Sequence, residues 1–99
     1  MTIKVGINGM GRIGRMVLRS IIESNNKNIE IKHINNRTGP EACSTLIKYD
    51  SIHGKFNAEI QYDENHLIVN KSKILFTKET NLENINWKKS EVDYVFECT

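Results

Sequence analysis

Gly9, Gly11 and Gly14 stand in G-x-G-x-x-G spacing within the run Val5-Gly6-Ile7-Asn8-Gly9-Met10-Gly11-Arg12-Ile13-Gly14-Arg15. The chemistry open to that spacing is to hold the pyrophosphate of a dinucleotide. One glycine permits a tight turn, the next lets the backbone approach the phosphates, and the third lets helix and strand pack closely. Unpaired N–H groups and the dipole of a following helix then favour the phosphate charge. The glycines sit where such a loop must sit, directly after a short apolar run and at the opening of a helical pattern.

The other side chains capable of chemistry form no comparable constellation. Cys43 and Cys98 fit no C-x-x-C or zinc spacing. No pair among His33, His53 and His66 has metal-ligand spacing such as H-x-x-x-H. No metal site is expected. Cys43 falls on the inner face of a helix and Cys98 in a buried strand, whereas a reactive thiol needs an exposed, electropositive setting. Both read as reduced structural thiols. His33 and His66 read as structural or surface residues, and His53 as a residue that shapes its own loop.

These residues need a scaffold, and the pattern supplies one. Ile3 to Ile7 is short, β-branched and bounded by the glycine turn, as a buried parallel strand should be. A helix follows from Arg12 or Ile13 to about Asn25, ended by Asn25-Asn26. Ile13, Met16, Val17 and Ile21 fall at i, i+3, i+4 and i+8, predicting that they form its inward face. Arg12, Arg15 and Arg19 fall on another face, solvated as a group, with Arg12 at the phosphate end. Ile29 to Asn35 alternates as a second strand, completing a strand–helix–strand unit of right-handed crossover. Thr38-Gly39-Pro40-Glu41 offers a capping box with proline near the first helical position. The helix it opens carries Ala42, Cys43, Leu46 and Ile47 inward and ends around Tyr49. Beyond Gly54, runs 58–62, 66–69 and 73–77 are strand-like and separated by turn residues, which predicts an antiparallel meander. Asn81 to Trp87 has room for one helical turn, and Asp93 to Thr99 rises into a last apolar strand.

The bulk properties bound the function. Ninety-nine residues make one small domain, with 26% charged and 38% hydrophobic residues. A chain of this size buries only about 60–70% of the surface its unfolded form exposes. A net charge of +2 argues for neither nucleic acid nor membrane as a partner. Lys88-Lys89 is the longest basic run and reads as solvated surface. No run approaches the roughly 20 apolar residues of a membrane span. The N-terminus starts directly in strand-like sequence without signal-peptide architecture, so the expected location is cytoplasmic.

Three segments resemble one family. Lys4 to Arg15 resembles the opening of glyceraldehyde-3-phosphate dehydrogenases, Lys48-Tyr49-Asp50-Ser51-Ile52-His53-Gly54-Lys55-Phe56 a second family signature, and Ile85-Asn86-Trp87 with Val92 to Thr99 a third. They occur in family order from end to end of the chain. The fold class expected is α/β: an incomplete Rossmann-type parallel sheet with a small antiparallel strand meander inserted. Residues 1–99 would be the N-terminal portion of an NAD(P)-binding Rossmann domain, with the catalytic domain absent. The resemblance implies that Asn8, Gly9, Gly11, Arg12 and Ile13 line the cofactor, the N–H groups of Arg12 and Ile13 holding the pyrophosphate. Thr99 would approach the ribose on the nicotinamide side, and Thr80 falls where the family shelves the adenine. There the family usually has a basic residue followed by Asp-Pro, where this chain has Thr80-Asn81-Leu82.

A second departure bears on the cofactor. An acidic residue usually follows the second strand and accepts from the adenine ribose hydroxyls. Here the matching position is Asn36, followed by Arg37. Loss of the carboxylate removes repulsion against a 2′-phosphate, and Arg37 could pair with one. The cofactor is accordingly read as NAD or NADP. The family's chemistry needs a cysteine nucleophile that forms a thioester for phosphate to cleave, and neither Cys43 nor Cys98 matches it. No catalytic residue is therefore expected in this chain, which alone should be inactive. The phosphorylated aldehyde would be a partner only of the full-length parent, which in this family is a homotetramer. Two alternatives stay open: an erythrose-4-phosphate dehydrogenase-like fragment, and a non-catalytic nucleotide-binding module.

Overall fold

β-Branched residues alternate with small and polar ones along the first strand, and the glycine run cuts it off. The computed structural model describes residues 2–24, 26–52 and 58–99. It comprises β1 (Ile3–Asn8), α1 (Arg12–Ser24), β2 (Ile29–Asn35), α2 (Pro40–Ile52), β3 (Ile60–Tyr62), β4 (His66–Val69), β5 (Ser72–Thr77), a 3-10 turn (Leu82–Asn84) and β6 (Tyr94–Glu97). Asn25, His53 and the stretch from Gly54 to Phe56 lie outside the described residues.

The six strands form one sheet in the order β3-β4-β5-β2-β1-β6. β1 pairs in parallel with β2 on one side and β6 on the other, and β5 pairs in parallel with β2. β3, β4 and β5 are the antiparallel meander expected from the short connections. Asn70 and Lys71 take positive φ, 50° and 71°, the two-residue hairpin turn whose twist matches its strands. The sheet is thus α/β and mostly parallel, with the meander delivering β5 to the edge of β2.

Val5, Ile7, Leu18, Ile31, Ile34, Ile47, Leu67 and Ile74 are buried in one continuous core. Between Val5 and Gly6 the register against β2 shifts, so that Val5 faces Ile31 and Gly6 faces His33. Trp87 lies over this point. A Cβ on Gly6 would come within 2.6 Å of Trp87 Cζ3, and the Trp87 ring sits 4.4 Å from that of His33 at 53°.

Both helices are rotated from their expected faces. In α1 the buried residues are Gly14 and Leu18, whereas Ile13 is 56% and Met16 47% exposed. Val17 and Ile21 pack only partly against the core. The reason is local: Gly14 is seated against the backbone of Gly9, and that contact sets the helix rotation before side-chain hydrophobicity can. In α2 Cys43, Ser44 and Ile47 are buried while Ala42 and Leu46 are exposed, and the helix runs on to Ile52. The Thr38 hydroxyl accepts from Asn36 Nδ2 at 2.7 Å, so it serves the loop before the helix.

The arginines of α1 are not uniformly solvated. Arg15 Nε pairs with Asp50 Oδ2 at 3.2 Å, both side chains mostly covered, tying α1 to α2. β6 also differs from expectation: all four of its residues are exposed, and Cys98 lies half-exposed just beyond it. Its strand pairs only with β1 among the described residues, so its apolar side chains lack a covering layer here.

Candidate dinucleotide-binding site

β1 is the strand at which the sheet changes direction: the chain leaves it through α1 to β2 on one side, and β6 lies on the other. In open α/β sheets this switch point, at the carboxyl ends of the strands, is where ligands bind. The glycine loop closes over that point. Gly9 has φ +99°, a region that side chains rarely adopt. Its N–H donates to the Asn35 carbonyl at 2.8 Å. A Cβ there would stand 3.0 Å from the backbone of Cys98 and Thr99, so the loop, β2 and the end of β6 are in contact.

The three glycines do different work. A Cβ on Gly14 would run into the Gly9 carbonyl oxygen and lie 2.9 Å from its carbonyl carbon, so this glycine is required for α1 to dock. At Gly11 a Cβ would meet nothing within 4 Å; the space beside it is open, as a cradle for an approaching ligand must be. The first N–H groups of any helix lack intrahelical acceptors. Those of Gly11, Arg12 and Ile13 have no other acceptor among the described residues. Met10 N–H is satisfied, donating to Asn36 Oδ1 at 2.9 Å.

Under the loop lies a polar network that sequence reasoning missed. Asn35, 2% exposed, donates through Nδ2 to Asn8 Oδ1 and to the Glu79 carbonyl, each at 3.0 Å. Its Oδ1 accepts from the Thr77 hydroxyl at 2.6 Å and from Glu79 N–H at 3.0 Å. Asn8 Nδ2 donates to both carboxylate oxygens of Glu97, at 3.1 and 3.0 Å. The Thr99 hydroxyl donates to Glu97 Oε1 at 2.8 Å. These hydrogen bonds, the one from Asn8 first, hold the Glu97 carboxyl below its usual range. His33 continues the chain: Nε2 meets the Thr77 hydroxyl at 2.9 Å and Nδ1 the Ser90 hydroxyl at 2.8 Å. Thr77 spends its proton on Asn35 and Ser90 its own on the Trp87 carbonyl at 3.0 Å, so the neutral ring donates to one of the two hydroxyl oxygens. Burial pushes the His33 pKa down to about 4, which keeps the ring neutral. The available signal was a polar residue at the end of each parallel strand: Asn8, Asn35, Thr77 and Glu97.

The candidate residues fall along this edge. Asn8 and Gly9 end β1, Gly11, Arg12 and Ile13 open α1, Asn36 and Arg37 follow β2, Thr80 follows β5, and Thr99 follows β6. The side chain of Asn8 is committed to Glu97 and Asn35. Asn36 is half-buried, whereas Arg12, Ile13, Arg37, Thr80 and Thr99 are exposed. No cluster of three or more His, Cys, Asp or Glu among the described residues could hold a metal ion. Burial raises the pKa of both thiols, assisted at Cys98 by the neighbouring Glu97 charge.

Residues 3–99 match the model of the glyceraldehyde 3-phosphate dehydrogenase NAD binding domain. The chain belongs to that family. It is 47% identical to the glyceraldehyde-3-phosphate dehydrogenase of Chlamydia pneumoniae over 96 residues, covering 97% of this chain and 28% of that protein. It is 46% identical to the Shimwellia blattae enzyme and 42% to that of Geobacillus stearothermophilus, each over 99 residues, 100% of this chain and 29% of theirs. The chain therefore spans less than a third of the length of the relatives it matches. Membership supports NAD as the cofactor of this dehydrogenase domain. No helix among the described residues is long and apolar enough to cross a membrane.

Proposed function

We propose that this chain is the dinucleotide cradle of a phosphorylating glyceraldehyde-3-phosphate dehydrogenase-like oxidoreductase, residues 1–99 forming the N-terminal part of its NAD(P)-binding domain. The observation that carries the reading is the glycine loop itself. Gly14 docks α1 against Gly9, the space at Gly11 is open, and the N–H groups of Arg12 and Ile13 have no acceptor among the described residues. Those two N–H groups would hold the pyrophosphate, helped by the positive end of the α1 dipole. Asn8 and Gly9 would form the floor, Asn36 and Arg37 would flank the adenine ribose, Thr80 the adenine, and Thr99 the ribose on the nicotinamide side.

The bound nicotinamide would supply the hydride acceptor for aldehyde oxidation. What this chain contributes is binding and orientation. Asn35, Thr77 and His33 hold the strand ends in register, so the loop above them keeps its shape before the ligand arrives. The nucleophile is not among these residues: both thiols are raised in pKa by burial, the opposite of what an attacking thiolate needs. The 99 residues alone are therefore catalytically inactive.

The test is a titration of NAD into the protein and into Gly11→Val, followed by calorimetry. A side chain at Gly11 meets no protein atom at its Cβ, so the variant keeps its thermal stability. It fills the space beside the free N–H groups, and NAD affinity falls at least about tenfold. Equal affinity in the two proteins would show that the ligand does not use this loop.

A further inference from the structure

We propose that His33 is a positioning residue for the dinucleotide loop: its Nε2–H keeps the Thr77 hydroxyl turned onto Asn35, whose carbonyl holds Gly9. This role rests on the dinucleotide reading above and adds the proton that keeps the cradle in shape. His33 acts through two neighbours, Thr77 and Asn35, and not on the ligand.

The polar chain runs from the Trp87 carbonyl through the Ser90 hydroxyl, the His33 ring and the Thr77 hydroxyl to Asn35 Oδ1. Its contacts are 3.0, 2.8, 2.9 and 2.6 Å in that order. Four contacts need four protons, and two hydroxyls with a neutral ring supply three. One contact is therefore empty, and the tautomer decides where. With the ring proton on Nδ1, the empty place falls beside Thr77. Either Nε2 faces the Thr77 oxygen with no proton between them, or Thr77 turns to Nε2 and leaves its oxygen bare against Asn35 Oδ1. With the proton on Nε2, Ser90 turns its own proton to Nδ1, and the contact given up is the longest of the four. The half-buried Trp87 carbonyl still accepts from Val92 N–H at 3.2 Å. Asn35 Oδ1 would likewise keep the Glu79 N–H, but two bare oxygens 2.6 Å apart repel. The Nε2 tautomer costs least, because it leaves no buried acceptor facing another.

The Thr77 proton fixes how the Asn35 amide stands. With Oδ1 accepting from Thr77 and from Glu79 N–H, Nδ2 is left to Asn8 Oδ1 and the Glu79 carbonyl. The Asn35 backbone carbonyl takes the Gly9 N–H at 2.8 Å, and the Thr77 carbonyl takes the Asn36 N–H at 3.0 Å. One pair of residues thus holds the end of β1, the glycine loop and the residue after β2. A Thr77 proton turned away would push Asn35 from β5 and disturb Asn8 and Gly9 with it. A loop already in its binding shape spends less of the binding free energy on ordering, so this proton acts on dinucleotide affinity.

The experiment records the ring ¹⁵N spectrum of the protein at about pH 7.5, where the imidazole is neutral, with His33→Gln to assign the signals. NAD is then titrated by calorimetry into the protein, Thr77→Val and Thr77→Ser. The natural protein carries the His33 proton on Nε2. In Thr77→Val the proton moves to Nδ1, and NAD affinity falls about two- to tenfold, the worth of one hydrogen bond. Thr77→Ser keeps the hydroxyl, the tautomer and, within about twofold, the affinity. A merely structural Thr77 would lower stability and leave the affinity of the folded Thr77→Val unchanged; that result overturns the inference, as do equal losses in the two variants. A proton on Nδ1 in the natural protein overturns it without any variant, so the test stands even where Thr77→Val does not fold. Failure of the natural protein to bind NAD overturns the cradle reading itself, and the role of His33 with it.

Discussion

His33 makes the stability of this fold depend on pH well above the carboxylate range. The ring is 1% exposed, wedged between Trp87 and the hydroxyls of Thr77 and Ser90, and no carboxylate contacts it among the described residues. Burial lowers its pKa from 6.5 to about 4. In the unfolded chain the ring takes up a proton as pH falls through 6.5; in the folded chain it does not until about 4. The unfolded state then binds the extra proton, so stability is full above pH 6.5 and is lost as pH falls toward 4. At about 1.4 kcal/mol per pH unit, the whole loss is about 3 kcal/mol, of which about 2 kcal/mol falls between pH 6.5 and 5. The carboxyls of Asp63, Glu91 and Glu97 are also lowered, from ordinary values of 3.8 to 4.5, and contribute mainly below that interval. Trp87 is the single tryptophan and lies on the ring, so its fluorescence reports urea unfolding at each pH. A His33→Gln variant is less stable at pH 7.5 and lacks the loss between pH 6.5 and 5. Identical pH slopes in the two proteins, or a flat profile in the natural one, would refute the reasoning.

Gly14→Ala forces a Cβ onto the Gly9 carbonyl. Overpacking of this kind costs about 1–3 kcal/mol or more, partly offset by about 1 kcal/mol of helix propensity. A net loss of about 2 kcal/mol should appear in denaturant unfolding, and a stabilised variant would mean that the helix can retreat freely from the loop. Asn35→Ala removes both ends of an amide that makes four hydrogen bonds and strands buried partners on Asn8, Thr77 and Glu79. The expected cost is about 3 kcal/mol, read by thermal unfolding; a loss below about 1 kcal/mol would mean that water replaces the amide at little cost.

The order of elements was legible before any coordinates. Alternation in Ile29–Asn35, turn residues at Asp63-Glu64-Asn65 and Asn70-Lys71-Ser72, and the glycine spacing each act over a few residues, and the structure puts each in place except Ser72, which opens β5. Helix rotation was not. The apolar spacing of α1 includes Ile13 and Met16, yet these are exposed because the one position that cannot carry a side chain, Gly14, must face the loop. Leu46 is exposed in α2, where Ser44 takes a buried place. Such choices belong to pairs of elements, and a single-helix pattern does not contain the neighbour's backbone.

What the sequence determines by itself is the dinucleotide spacing, the strand–helix–strand frame and the family to which they belong, because those depend on residue type and short separations. Tertiary structure alone decided that β5, arriving through the meander, lies beside β2, and that β6 lies on the far side of β1. Only that arrangement brings Asn8, Asn35, Thr77 and Glu97, spread over 90 residues of chain, into one hydrogen-bonded floor beneath the loop. It also holds the Asn36 amide between the Met10 N–H and the Thr38 hydroxyl. The physical reason is the same in each case: a buried polar group must find its partner in space, and sequence distance does not say where that partner is.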